Sequence, residues 1–246
     1  MKKHHVLLLL VPALLLVLPS CFRKKSVSVI SDLAYDQNSS ADPVVYILEG
    51  DKYVPFLVLT DSYGGNTLLL RRDVLEEPKR INEYSAFYEN SEIDAYLNSE
   101  YLSKLSEIRP LIQSSEITIT DETAIGFSGT ETKIIQRSLF LLSCDEVGFG
   151  HSVNAGEEGR ALDYFASVEN RIANRGGVPC SWWLRTPNTY YLSCTYVIGG
   201  NHKLGSTNAF DENGIRPALC VPGSSKIESS TEIIPGQTVY IFSKIP

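Results

Sequence analysis

The chain reads as an α+β protein, mainly antiparallel strands with two principal helices. Three observations lead there. Short runs rich in Val, Ile, Leu, Thr and Tyr recur between turns built from Gly, Asn and Asp. Two stretches instead carry apolar residues at helical spacing. Those two stretches divide the strands into an N-terminal and a C-terminal group, whereas a parallel sheet would alternate single strands with helices.

The elements follow in order. Runs 44–48, 53–59 and 67–70 are separated by Glu49-Gly50-Asp51 and by Ser62-Tyr63-Gly64-Gly65-Asn66, which is turn chemistry. They predict a three-stranded antiparallel meander. Ser91 is a helix N-cap, with Asp94 placed to reach back in a capping-box manner. Ile93, Leu97, Tyr101 and Leu105 then form one apolar helical face. Residues 107–136 look irregular apart from a strand at 116–120, and 138–142 is a buried strand by composition. A second helix is predicted at 157–170, with Leu162, Phe165 and Val168 on its apolar side and Arg175-Gly176-Gly177-Val178-Pro179 beyond its end. Strands return at 181–185, 191–198, 205–210 and 215–221. Gly199-Gly200-Asn201 and Asp211-Glu212-Asn213-Gly214 supply hairpin connections. Residues 223–246 form a polar connection and a last strand, 238–243, expected to rejoin the sheet.

The N-terminus carries an address. Lys2 and Lys3 precede an apolar run at 6–18, and Ser20 is the small residue at a cleavage point, so 1–20 reads as a signal peptide. The run is shorter than the roughly 20 apolar residues that span a bilayer. Leu18, Ser20 and Cys21 resemble the lipobox of bacterial lipoproteins. That resemblance implies that Cys21 is lipidated and becomes the new N-terminus, tethering an exported body to the outside of a bacterial membrane. Pro19 is an unusual occupant of the motif, and plain cleavage after Ser20 or a retained anchor stay open. Residues 21–43 read as the lipid anchor and a flexible spacer, poor in large apolar groups.

Charge excludes one partner class. The chain has 22 basic and 29 acidic residues; removal of 1–20 takes Lys2 and Lys3, leaving 20 basic and a formal charge of −9. Nucleic-acid binding needs clustered Lys and Arg, and the one local cluster, Arg23-Lys24-Lys25, sits beside the membrane. No nucleic-acid partner is expected. Body cysteines Cys144, Cys180, Cys194 and Cys220 permit two disulfides, but each sits in or beside an apolar segment where a free Cys packs as a small hydrophobe. Both outcomes stay open. They form no CxxC pair, which argues against a common zinc site. The Asp211, Glu212 and Asn213 cluster is better explained as a hairpin tip than as a calcium loop. No GxSxG, HExxH, P-loop or GxGxxG pattern is present, and nothing points to a cofactor. The two body histidines, His151 and His202, leave only a Cys-His pair as a catalytic candidate.

The strongest local signature is Trp182-Trp183-Leu184-Arg185-Thr186-Pro187, followed by Gly214-Ile215-Arg216-Pro217-Ala218-Leu219. It resembles the closing strands of a bacterial domain family of unknown function, DUF6273. Further matches are the strand 67–70; Tyr88 through Ser91 to Ile93, with Asn98; and Phe140-Leu141-Leu142-Ser143 with Glu146. The resemblance covers 44–222. It implies surface or exported proteins, with no activity to carry over. A looser likeness to C-type-lectin-like and formylglycine-generating-enzyme-type domains, which also close on Trp-rich strands, suggests an architecture and no reaction.

Four residues are candidates for ligand contact. Neighbours on a strand face opposite ways, so one of Trp182 and Trp183 is expected in the core and the other outside. Trp183, with Tyr190, Tyr191 or Tyr196, could stack on a sugar or peptide; packing is the favoured alternative. Arg185 and Arg216 could grip an anion bidentately, or pair with Asp145-Glu146 to pin the strands. The resulting expectation is a cell-surface binding module for a glycan or protein, using loops around 186–203. An extracytoplasmic Cys/His enzyme and a structural envelope component are the alternatives.

Overall fold

The computed structural model describes residues 27–39 and 42–244. The signal segment and Cys21 therefore lie outside the described residues. Among the described residues there are fourteen strands: β1 (Val44–Glu49), β2 (Lys52–Tyr63), β3 (Asn66–Arg71), β4 (Ser115–Thr120), β5 (Thr132–Arg137), β6 (Leu139–Phe140), β7 (Ala173–Arg175), β8 (Val178–Cys180), β9 (Trp182–Pro187), β10 (Cys194–Ile198), β11 (Leu204–Asn208), β12 (Ala218–Val221), β13 (Ile227–Ser230) and β14 (Val239–Phe242).

The main sheet runs β13-β14-β1-β2-β3-β12-β6, and only the β1/β14 pair is parallel. Its centre is the expected meander. Gly64 and Gly65 close the β2–β3 hairpin with φ of +57° and +82°, a conformation that two-residue hairpin turns demand. The last strand rejoins the sheet through the Tyr46–Ile241 register. Three smaller sheets, β9–β10–β11, β4–β5 and β7–β8, are all antiparallel.

A helix of 13 residues packs on this framework, in segments Glu92–Tyr96, Leu97–Tyr101 and Leu102–Lys104, the middle one wound as a π-helix. Ser91 caps it by accepting the Asp94 N–H at 3.3 Å. The Asp94 carboxylate does not reach back to Ser91. It accepts from the Asn90 N–H at 2.9 Å and forms an ion pair with Arg137 at 2.8 Å. Ile93, Leu97, Tyr101 and Leu105 are all buried, as their spacing requires. In the π turn, the Asn98 amide donates to Leu139 O at 2.9 Å and accepts from Leu139 N at 3.1 Å, so it satisfies the open edge of β6.

The second expected helix is absent. Residues 157–170 hold only short 3₁₀ turns, Asp163–Ala166 and the start of Val168–Arg171. Two causes are visible. Gly159 adopts φ +139°, outside the helical region. Glu158 spends its backbone on distant partners, donating N–H to the Asp145 carboxylate at 2.6 Å and accepting from Arg185 at 2.6 Å. Tertiary bonds override a short periodic pattern, and Val168 is left exposed.

The spacer expectation is corrected in part. Ile30 and Leu33 are buried in a 3₁₀ turn, Ile30–Leu33. The Ile30 N–H bonds Ser225 O at 2.9 Å and the Ile227 N–H bonds Ser28 O at 3.1 Å, so this stretch docks against β13. Among the described residues, no helix is long and apolar enough to cross a membrane.

Candidate functional site

Strand β9 is buried along its whole length. Both tryptophans are therefore interior, with 0 % exposure each, and the expectation of an outward ring at Trp183 fails. Alternation still holds, but both faces of β9 are covered. Trp182 donates its indole N–H to Arg171 O at 2.9 Å, and Trp183 donates to Lys79 O at 2.7 Å. A buried ring with its one donor satisfied is a packing element.

Arg185, further along β9, lies at the centre of a closed network. Its Nε donates to Thr118 O (3.1 Å), Nη1 to Leu141 O (2.8 Å) and Glu146 Oε2 (2.8 Å), and Nη2 to Glu146 Oε1 (3.2 Å) and Glu158 O (2.6 Å). Five contacts match the five N–H donors of a guanidinium. The carboxylates are equally occupied. Glu146 also accepts from Tyr63 Oη (2.6 Å) and Ser143 N (2.9 Å), and Glu158 from Thr120 N, Thr120 Oγ1 and Thr186 Oγ1. Burial lowers the Arg185 pKa, but Glu146 and its neighbours more than offset this, holding the guanidinium above its ordinary range. Burial raises the Glu158 carboxyl against the pull of Arg185. No donor of Arg185 is left for a ligand.

Arg216, on the segment before β12, is equally buried and quite different. Its Nε is shared between Arg71 O (3.0 Å) and Arg72 O (3.1 Å), and its guanidinium carbon stands 5.0 Å from the Trp182 ring centroid. No carboxylate pairs with it among the described residues, and its Nη1 is a buried donor without an acceptor. Burial pushes its pKa down to about 10. The expected Asp145-Glu146 partnership is thus split: Glu146 serves Arg185, Asp145 holds the Glu158 backbone, and neither reaches Arg216.

The two signature segments meet here. The Trp183 N–H bonds Gly214 O at 2.9 Å, and the Gly214 N–H bonds Ser181 O at 3.0 Å. A Cβ on Gly214 would come within 2.6 Å of Ser181 O and of a Val74 side-chain carbon, so the crossing needs glycine. A family model described as a domain of unknown function, DUF6273, matches residues 64–223. The chain belongs to the DUF6273 family. The match begins at the turn of the β2–β3 hairpin, so β1, β2, β13 and β14 extend the DUF6273 sheet outside the matched span. No curated protein and no solved structure matches the chain.

The exposed aromatic face of this DUF6273 domain lies elsewhere. Tyr190, Tyr191 and Leu192, in the β9–β10 loop, are more than half exposed, and so are Tyr84 and Phe127. Backbone hydrogen bonds tie their loops together: Gly126 N and Ser128 N to Thr189 O, Ala86 N to Leu192 O, and Ala209 N to Ser193 O. Leu192 Cδ2 sits only 2.5 Å from where a Gly126 Cβ would be, which locks the two loops. Phe210, half exposed, follows on the same set of loops. The buried polar side chains of the β9–β10 loop are engaged: Asn188 donates to Ser206 Oγ and accepts from Tyr190 N, and Thr189 donates to Asn154 O. The sequence placed Tyr190 and Tyr191 here but missed Tyr84, Phe127 and Phe210. Their one legible mark is a following Ser or Asp, as in Gly126-Phe127-Ser128.

Above the Arg185 network lies a cleft of about 460 Å³, lined by Tyr35, Tyr63, Glu116, Thr118, Arg160 and Asp163 among others. Volumes of this order suit small ligands.

The cysteines offer no activated nucleophile. All four body thiols are free. Burial raises every one of them, Cys220 to about 12 and Cys144 well above the ordinary range. A nucleophilic cysteine needs the opposite shift. Asp211 is engaged within its own turn, accepting from Thr207 Oγ1 and Asn208 N. Among the described residues, no group of three or more His, Cys, Asp or Glu is arranged to hold a metal.

Proposed function

We propose that this DUF6273 protein is an exported, lipid-tethered binding module that docks a protein partner through the loops bearing Tyr84, Phe127, Tyr190, Tyr191 and Leu192. Export and tethering rest on the segment 1–21 and its lipobox-like Cys21. The docking face rests on one observation: loops distant in sequence are stitched together and leave large apolar side chains exposed. Phe and Tyr anchors are enriched in protein interfaces. A protein is favoured over a glycan here because Phe127 and Leu192 carry no polar group to bond sugar hydroxyls, and the buried Asn188 and Thr189 are already engaged.

A photo-crosslinking residue at position 190 of the full chain, expressed in the host cell, tests this. A discrete protein adduct is expected, lost on combining Phe127→Ser with Leu192→Ser. Adducts no different from those of a crosslinker at position 178, another exposed site, would refute it.

The cleft above Arg185 favours a second reading, glycan binding. Tyr35 and Tyr63 provide rings, and Glu116, Thr118, Arg160 and Asp163 provide hydrogen-bonding groups. A glycan array probed with the full chain decides it: binding abolished by Glu116→Ala with Asp163→Ala supports the cleft, and silence excludes it.

A further inference from the structure

A third place in the molecule has a different chemistry. At the β10–β11 end of the small sheet, opposite the aromatic loops, a pocket of about 370 Å³ is lined by Phe149, Ser152, Arg171, His202, Lys203 and Leu204. Its polar groups carry N–H or O–H donors, and none of the six is a carboxylate, in a chain of formal charge −7.

Arg171 is built into this pocket. Its Nε donates to Val147 O at 3.0 Å and its Nη2 to Phe165 O at 3.1 Å, while its guanidinium carbon stands 4.2 Å from the Phe149 ring centroid. Gly148, at φ +83°, lets the chain pass close by; a Cβ there would come within 3.0 Å of Nη2. The guanidinium is therefore held by carbonyls and a ring face, and no ion pair engages it among the described residues. His202 adopts φ +61°, a backbone conformation uncommon outside glycine, and Lys203 follows it. Glu169 stands near enough for its field to reach His202, but its carboxylate accepts from Ser167 Oγ at 2.6 Å.

An arginine held by carbonyls and a ring face without an ion pair, with Lys203 and apolar Phe149 and Leu204 lining the same pocket, describes a receptor for an oxyanion joined to an apolar group. We propose that this pocket is a second binding site of the domain, taking a carboxylate or phosphate whose substituent packs on Phe149 and Leu204. The anion would draw on the Arg171 fork, the Lys203 ammonium, a ring N–H of His202 and the Ser152 hydroxyl. The site is separate from the aromatic loops, so either can exist without the other.

The test uses the full chain titrated with benzoate, phenyl phosphate and neutral benzyl alcohol at fixed ionic strength, followed by calorimetry. Saturable binding of at least one anion is expected, and which one binds distinguishes the two oxyanions. Removing one charge-assisted contact should weaken it about tenfold in Lys203→Gln, and His202→Asn, which tolerates the same backbone, reports on the second contact. Arg171→Lys should be weaker still if it folds. Absence of saturable binding at millimolar concentration, equal binding of benzyl alcohol, or undiminished binding in the folded H202N/K203Q double variant would overturn the proposal.

Discussion

Arg185 and Arg216 are both about 1 % exposed, both lie in the signature segments, and their surroundings could hardly differ more. Arg185 is surrounded by acceptors that consume every donor, two of them on a buried carboxylate. Arg216 shares one N–H between two carbonyls, faces an indole ring and leaves Nη1 unpaired. The pair shows that burial of an arginine says little about its energetic standing; partner saturation decides it. A saturated buried ion pair is destroyed by losing either member, because the survivor is an uncompensated charge. An under-partnered guanidinium leaves less behind when removed.

The largest effect is therefore expected at Arg185. Arg185→Met strands Glu146 and removes the donor to Glu158 O, and should cost about 3–5 kcal/mol or prevent folding. Urea denaturation measures it. Arg216→Met removes the carbonyl contacts and the Trp182 stacking but also an unpaired donor, so a loss of about 1–2 kcal/mol is expected. Equal losses in the two variants would show that Arg216 is better partnered than its contacts indicate.

A pH measurement sharpens the same contrast. Burial, then Glu146, raises the Tyr63 hydroxyl above its ordinary 10.0. In the unfolded chain that phenol ionises near 10, whereas the folded chain retains the proton, so the unfolded state binds fewer protons above this point and stability falls as pH rises. Tyr63→Phe should lose the hydrogen bond to Glu146, about 1–3 kcal/mol at neutral pH because the acceptor is charged, and should show a shallower alkaline decline from pH 10 upward. Parallel declines in the two proteins would detach Tyr63 from the Arg185 network.

Much of this contrast was hidden in the sequence, for reasons that particular residues make plain. The meander and the helix were legible because Gly64-Gly65 and the Ile93, Leu97, Tyr101 spacing are local signals. Glu146 was legible as an arginine partner from its place just after the strand 138–142. Glu158 was not. It sits in a stretch whose Leu162, Phe165 and Val168 imitate a helix, and its role depends on Thr120, Thr186 and Arg185, 27 to 38 residues away. Alternation put one of Trp182 and Trp183 outside only on the premise that one face of β9 is open, and coverage of both faces is a property of the assembled fold. Arg171 and His202 likewise share a pocket only after folding.

The smallest effect on stability is expected at the surface, where the aromatic loops should behave opposite to both arginines. Phe127→Ser combined with Leu192→Ser removes apolar area that is already largely in water, so each change should shift stability by no more than about 0.5 kcal/mol. Leu192 is the sharper half of that expectation, because its Cδ2 packs against Gly126 while most of the side chain stays exposed. If thermal unfolding shows Leu192→Ser alone costing more than about 1 kcal/mol, the loop lock is a structural device and the exposed rings lean on it. If the cost stays small, those side chains are held in water without a stabilising return to the fold, which is the expected condition of a face kept for a partner.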